Sequence, residues 1–110
     1  MRAIPPKLRR ELSEDPFMQK CCITGSSDVS FEHCWIYKNR QISEKWAIVP
    51  LRRDLNSSTP PKDVKERCKL ISLERAIELL PNGLDDIYIK YPRFDWKQTY
   101  KYLKQKYDKN

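Results

Sequence analysis

A histidine, the acid before it and a distant asparagine are the residues best suited to catalysis in this sequence. His33 is the only histidine among 110 residues, it directly follows Glu32, and Asn56 comes 23 positions later. A neutral imidazole near pH 7 can take a proton from water and so make a nucleophile. A carboxylate and an amide oxygen are hard ligands that suit Mg²⁺, which also binds phosphate oxygens. Together these groups fit the hydrolysis of a phosphate ester.

Two strands must position this group. The segment VSFEHCWIY (residues 29–37) is rich in strand-forming residues and predicts one continuous strand. WAIVPL (residues 46–51) predicts a second strand that its proline closes, because proline cannot donate to a ladder. The polar segment KNRQISEK (residues 38–45) joins them, so we expect an antiparallel hairpin. Neighbouring strand residues point to opposite faces, so Glu32 and His33 can flank one phosphate only if the strand bends or ends there.

Helical segments are predicted on both sides of the hairpin. The segment PPKLRRELSEDPFMQK (residues 5–20) predicts a first helix, which Pro16 should end or kink. Directly after the hairpin, LRRDLNSS (residues 51–58) can form one or two helical turns. Such a turn would bring Asn56 back towards the first strand.

The clearest helical region covers residues 58–83, with Ser58 or Thr59 as the expected cap and "PNG" as the stop. Its apolar stripe is imperfect, so a break near residues 71–72 is expected. The next segment, LDDIYIKYPRF (residues 84–94), is predicted to be irregular or extended.

An aromatic stripe distinguishes the last predicted helix. This helix starts at the capping residue Asp95 and places Trp96, Tyr100, Leu103 and Tyr107 on one face. We interpret the stripe as part of the core. Two alternatives stay open, namely a platform for stacking bases and a docking face for a protein partner.

Composition favours a polyanionic partner. The chain carries 22 Lys and Arg against 15 Asp and Glu, a formal charge of +7 and a pI near 9.3. Such an excess indicates nucleic acid ahead of a membrane surface, although it can also serve solubility alone. No stretch approaches the roughly 20 apolar residues of a membrane helix, and the N-terminus lacks the apolar segment of a secretion signal. We therefore expect a soluble, cytoplasmic protein.

The cysteines Cys21, Cys22, Cys34 and Cys68 could form two disulfides, hold zinc or remain free. An intracellular setting argues against disulfides. Structural zinc sites usually pair their ligands two to four residues apart, whereas two of these cysteines are adjacent and two are isolated. We expect buried free thiols, and a structural zinc is not expected.

The segment CCITGSSDVSFEHCWIYKNRQISEKWAIVPLRRDLN (residues 21–56) resembles the HNH endonucleases, which have the ββα-metal fold. The features that carry the resemblance are an acid–His pair on a first strand, a polar loop, a strand ending in "VPL" and a helix carrying Asn. Small phage-encoded HNH proteins are the most similar, so a phage-encoded protein of a bacterial host is a further expectation. The length of 110 residues predicts a single domain over residues 1–110. The resemblance implies that this domain has an α+β fold, with a ββα-metal core at residues 21–58, flanking N- and C-terminal helices and a helical extension at residues 59–110.

The resemblance also implies roles for individual residues. His33 matches the general base that activates water. Glu32 and Asn56 match the ligands of one divalent cation, Mg²⁺ or Mn²⁺. Asn39 matches, less closely, a loop asparagine that orients the base. Double-stranded DNA is the expected substrate, and five basic residues near the motif are expected to contact its phosphates: Lys38, Arg40, Lys45, Arg52 and Arg53.

The sequence departs from the family pattern in three ways. Arg52 and Arg53 stand where many relatives begin a second zinc knuckle, and no second histidine follows on the helix. Glu32 replaces the commoner Asp or His. A non-catalytic nucleic-acid-binding protein on a degenerate HNH scaffold therefore stays open as the alternative to a metal-dependent DNA endonuclease.

Overall fold

Helices and two small antiparallel strand pairs make up an α+β fold in this computed structural model, which describes residues 4–57 and 60–107. The helices are α1 (Pro6–Glu14), α2 (Arg53–Ser57), α3 (Lys62–Leu79), α4 (Leu84–Lys90) and α5 (Trp96–Tyr107). The strands are β1 (Val29–His33), β2 (Ile36–Tyr37), β3 (Arg40–Gln41) and β4 (Ile48–Arg52). The predicted boundary between motif and extension, at residues 58 and 59, lies outside the described residues.

The predicted antiparallel pairing of the two main strands is confirmed, with β1 beside β4. Pro50 does not close β4, which continues to Arg52. The register places Pro50 opposite Phe31, and the Pro50 carbonyl accepts a hydrogen bond from Cys22 N at 2.9 Å. The backbone of Pro50 therefore faces away from β1, and its missing N–H removes no bond from the ladder.

The prediction of one strand over residues 29–37 is wrong, because β1 ends at His33. Cys34 N still donates to Ala47 O at 3.0 Å, but Trp35 O accepts from Ile42 N, so the chain changes partner between these residues. The following residues form a separate hairpin of β2 and β3. The alternation of residue types along a strand does not predict such a bend. The bend matters because Glu32 and His33 can reach one site only if the strand bends or ends there.

Helix α2 follows β4 directly, as predicted, and packs on both β1 and β4. Arg53 begins the helix and ties it to the start of β1. Its backbone N donates to Asp28 O at 3.0 Å, and its guanidinium donates to Asp28 Oδ1 and to Val29 O, both at 2.9 Å. These contacts fix the position of the short helix that carries Asn56.

Helix α3 is continuous, so the predicted break at residues 71–72 is wrong. Ser72 is fully buried and bridges two tryptophans of the core. Its hydroxyl donates to Trp46 O at 2.7 Å and accepts from Trp35 Nε1 at 3.0 Å. The polar residue that interrupts the apolar stripe thus serves tertiary structure, since a buried polar group needs its hydrogen bonds. The predicted caps Ser58 and Thr59 lie outside the described residues.

Residues 84–90, predicted to be irregular or extended, form helix α4. The helix begins after Gly83, whose φ of 57° lies in the left-handed region that favours glycine. Asp86 supports this start, because its carboxylate accepts from Asn82 N at 2.9 Å. The β-forming residues of the segment were misleading, since burial of Leu84 and Ile87 on one side holds the helix.

The aromatic stripe of α5 packs into the core, as interpreted from the sequence. Trp96 and Leu103 are buried, and Tyr100 and Tyr107 are partly buried against the same core. The predicted cap is also present, since Asp95 Oδ1 accepts from Gln98 N at 3.0 Å. Because its main apolar side chains are covered, this stripe is not an open docking face.

A second, smaller group of apolar side chains joins α1 to β4, with Leu12 and Ile48 at its centre. Over the described ranges, no helix is both long and apolar enough to cross a membrane. All four cysteines are free. Cys21, Cys34 and Cys68 are buried and Cys22 is partly buried.

Candidate functional site

A cleft of about 480 Å³ lies where β1 ends, and Glu32, His33 and Asn56 all line it. The first two residues reach the same cleft because the strand stops at His33. Asn56 is brought there by α2, which packs on β1. The structure therefore brings together the acid, the imidazole and the amide that the sequence singles out.

His33 is held as a neutral base. It is partly buried, and this burial lowers the pKa of its imidazole, so the ring is uncharged near neutral pH. Its Nε2 lies 3.4 Å from the hydroxyl oxygen of Ser43, in the segment after β3. A neutral ring that contacts one hydroxyl can still accept a proton from water.

Glu32 offers a carboxylate without a direct protein partner. Burial raises the pKa of this group, and the nearby Lys65 ammonium acts in the opposite sense. Among the described residues, the carboxylate oxygens of Glu32 make no hydrogen bond, and no cationic group forms an ion pair with them. A desolvated carboxylate of this kind is stabilised by a bound cation.

Asn56 is anchored through its amide nitrogen. Nδ2 donates to Ser30 Oγ at 2.7 Å and contacts Phe31 O at 3.4 Å, which ties the side chain to β1. The amide oxygen, which makes no hydrogen bond with a described residue, is thus left as a ligand atom. In the described part of the chain no three His, Cys, Asp or Glu side chains converge on a metal position. The donor set is two oxygen groups, which fits a hard cation that keeps waters and takes phosphate oxygens.

Two cysteines line the same cleft without offering a reactive thiolate. Burial raises the pKa of Cys34 well above its ordinary value, and its Sγ contacts Cys68 O at 3.6 Å. The pKa of Cys68 is raised as well, mainly by a hydrogen bond with Cys22 and to a lesser extent by burial. Protonated thiols are poor nucleophiles, so these two cysteines are not candidates for nucleophilic attack in the cleft.

Asn39 lies away from the cleft. It occupies the exposed two-residue turn between β2 and β3, where its φ is 65° and that of Lys38 is 51°. Asparagine tolerates this left-handed conformation, which tight hairpins require. The loop residue that contacts His33 is instead Ser43, which the sequence analysis did not single out.

The five basic residues predicted to bind DNA lie outside the lining of the cleft. Two of them, Lys38 and Arg40, are exposed at the β2–β3 turn. The other three are paired with acids: Lys45 with Asp15 at 3.6 Å, Arg52 with Asp54 at 2.5 Å and Arg53 with Asp28 at 2.9 Å. Three of the residues predicted to bind phosphate are therefore engaged within the protein.

Glu32, His33 and Asn56 form one wall of the cleft, which we call the first wall. The opposite, second wall comes from segments that follow residues 21–56 in the chain. Helix α3 contributes Lys65 and Lys69, and the loop before α5 contributes Phe94. The lysines are four residues apart on one helical face, a spacing that the sequence already displays. Phe94 comes from a segment predicted to be irregular, so no pattern marks it.

Comparisons of this chain with protein-family models, with curated proteins and with solved structures find no match.

Proposed function

We propose that this protein is a metal-dependent endonuclease of the HNH type that hydrolyses DNA phosphodiester bonds. The observation that carries the proposal is the single cleft lined by Glu32, His33 and Asn56, at the end of a strand and beside a short helix. The order of strand, paired strand and helix is the order that the ββα-metal motif requires. The resemblance of residues 21–56 to that family supports the same assignment.

His33 is the general base in this proposal. Its neutral imidazole removes a proton from a water molecule, and the resulting hydroxide attacks the phosphorus, so that the bond from phosphorus to the 3′ oxygen breaks and this oxygen leaves and takes a proton from solvent. Ser43 contacts the ring at Nε2 and restrains its orientation. Lys65 and Lys69, in the opposite wall, attract the phosphate backbone into the cleft.

Glu32 and Asn56 would hold Mg²⁺ or Mn²⁺ through their oxygen atoms. When bound, such an ion supplies electrostatic stabilisation to the charge that develops on the phosphate. With two protein ligands, the site depends on substrate oxygens to complete it, so we expect tighter binding of the ion when DNA is present.

Incubation of the purified protein with supercoiled plasmid tests the proposal. We expect nicked circles in Mg²⁺ or Mn²⁺ and none in EDTA. Intact supercoils in every divalent cation would contradict it.

A second candidate is a non-catalytic nucleic-acid-binding protein on the same scaffold. It is favoured by the small ligand set, since no three candidate side chains converge on a metal in the described residues. This alternative predicts salt-dependent DNA binding without any effect of divalent ions, which calorimetry with and without DNA would distinguish.

A further inference from the structure

The loop of residues 91–95, between α4 and α5, is fastened to the core from both ends. The Tyr37 hydroxyl donates to Pro92 O, and the Tyr91 hydroxyl donates to Glu44. Trp96 Nε1 donates to Tyr91 O at 2.9 Å, which closes the loop on itself. These bonds join the loop to β2, to Glu44 after β3 and to α5, and they place Phe94 at the cleft.

Arg93 gives this loop an unusual backbone. Its φ of 75° places a non-glycine residue in the left-handed region, which costs free energy for a bulky side chain. Such conformations persist where the surrounding structure enforces them, and they concentrate at ligand sites. The residue that follows Arg93 is Phe94, which lines the cleft.

Phe94 is held rigidly but incompletely covered. Its ring makes edge contacts with Trp35 and Trp96, at centroid distances of 5.9 and 4.6 Å, yet 37% of the residue stays exposed. Ile36, on the same cleft, is 72% exposed. The exposed apolar surface of Phe94 and Ile36, beside a carboxylate and an imidazole, is suited to contact with a ligand that has an apolar face.

The charge beside this aromatic ring indicates what that ligand carries. Lys65 and Lys69 line the cleft with Phe94, and the Lys69 ammonium lies 5.1 Å from the Trp35 ring centroid. An aromatic ring beside lysines is the combination that binds single-stranded nucleic acid, by stacking a base and neutralising the backbone. The volume of about 480 Å³ is that of a small-molecule pocket, a size that suits a single base rather than a base pair within its stack.

We infer that Phe94 stacks an unpaired nucleobase, so the preferred substrate is DNA with a single-stranded, flapped or mismatched segment at the cleft. The inference rests on the proposed function, in that it names the form of DNA which the same cleft accepts. It also goes beyond that function, because base stacking requires neither the cation nor His33. Fully paired DNA must open before it can enter.

Binding measured in EDTA separates this inference from catalysis. The probe is an oligonucleotide carrying one 2-aminopurine, presented as a single strand, as a duplex with the fluorescent base unpaired and as a fully paired duplex. We expect quenching on binding of the first two and weaker binding of the third. Phe94→Leu should weaken single-strand binding roughly 5- to 100-fold and abolish the quenching, whereas Phe94→Tyr should retain both.

Tyr88→Leu is the matched control, because Tyr88 is a 54% exposed aromatic residue that does not line this cleft. Equal binding of paired and unpaired probes by the wild-type protein overturns the inference, even if Phe94→Leu fails to fold. An equal loss in Tyr88→Leu, or unchanged quenching in a folded Phe94→Leu, also overturns it. Phe94-dependent binding without divalent-dependent cleavage of either plasmid or single-stranded DNA would retain this inference and remove the proposed nuclease activity.

Discussion

The two walls of the cleft differ in the chemical groups that they carry. The wall formed by the end of β1 and by α2 carries Glu32, His33 and Asn56, which supply a carboxylate, an imidazole and an amide. The wall formed by α3 and the loop before α5 carries cationic and aromatic groups. In the proposed function, the first wall cleaves the bond and the second wall holds the strand. The reactive group and the groups that hold a substrate would then come from separate parts of the chain.

The largest effect should follow from removing the base in the first wall. His33→Ala should lower the rate of divalent-dependent nicking by about 10²–10⁴-fold, the usual contribution of general-base assistance. The thermal midpoint should change little, because His33 is only partly buried. Nicking rates and thermal unfolding of both proteins check this, and wild-type rates from a folded variant would remove His33 from the mechanism.

Removing a ligand of the same wall should act through the cation. Glu32→Gln keeps the size of the side chain but loses its charge. We expect divalent affinity, measured by calorimetry with DNA present, to fall by more than the roughly 10- to 100-fold that loss of an outer-shell partner causes. The affinity for DNA measured in EDTA should not fall, because in this proposal the residues that bind DNA without a cation lie in the second wall. An unchanged divalent affinity would exclude Glu32 as a ligand.

A third prediction concerns an ion pair that joins the end of α1 to α3, the helix that carries the lysines of the second wall. Asp15, directly after α1, pairs with Arg75 of α3 and lies 3.6 Å from Lys45. Burial alone would raise the pKa of Asp15, but the hydrogen bond from Phe17 N and the Arg75 charge outweigh it, so the pKa is lowered. A lowered pKa in the folded state contributes stability above the ordinary value of 3.8, and this stability is lost as pH falls through the folded value.

Asp15→Asn should therefore destabilise the protein at neutral pH by roughly 2 kcal/mol, because it removes the charged hydrogen-bond acceptor of Arg75. The difference from wild type should shrink as both are acidified below the ordinary pKa. Denaturant unfolding at several pH values measures it. A difference that stays constant down to strongly acid pH would contradict the linkage.

The second wall can be tested through salt. Lys65→Ala with Lys69→Ala should reduce the slope of log affinity against log salt by about 0.9 for each phosphate that the variant no longer neutralises. The matched control is Arg52→Ala with Arg53→Ala, which removes as many charges from residues already paired with acids. A larger reduction of this slope in the control would indicate that DNA contacts Arg52 and Arg53, as first predicted from the sequence.

The smallest effect should distinguish two loop residues. Ser43→Ala removes the hydroxyl near His33 Nε2 and should shift the pH profile of nicking, with a rate loss of about tenfold or less. Asn39→Ala, in the exposed turn, should leave rate and profile unchanged. A loss confined to Asn39→Ala would restore the role that the family resemblance implies for it.

The extent to which this site is predictable from sequence differs between the walls. Glu32, His33 and Asn56 lie within one short segment, where residue type and strand pattern place them close to the same hairpin. Even there the decisive bend after His33 could not be predicted, because it depends on the burial of Trp35 by α3 and α5.

The second wall depends on contacts between distant segments, which local patterns do not encode. Lys65 and Lys69 share a helical face in the sequence, but nothing local shows that this face meets β1. Phe94 follows a residue in the left-handed region. Its loop is held at the cleft by hydrogen bonds of Pro92 with Tyr37 and of Tyr91 with Glu44, far away in the chain. Ser72 misled the prediction for the same reason, since its partners are tryptophans outside its helix.

Cleavage of a DNA duplex with a single unpaired base tests the joint action of both walls most directly. Single-turnover reactions of wild type, His33→Ala and Phe94→Leu in Mg²⁺, with EDTA as the blank, would be resolved on a denaturing gel. We predict a Mg²⁺-dependent cut near the unpaired base that His33→Ala loses and Phe94→Leu slows. No cut by the wild-type protein, or a cut that His33→Ala leaves unchanged, would contradict the account.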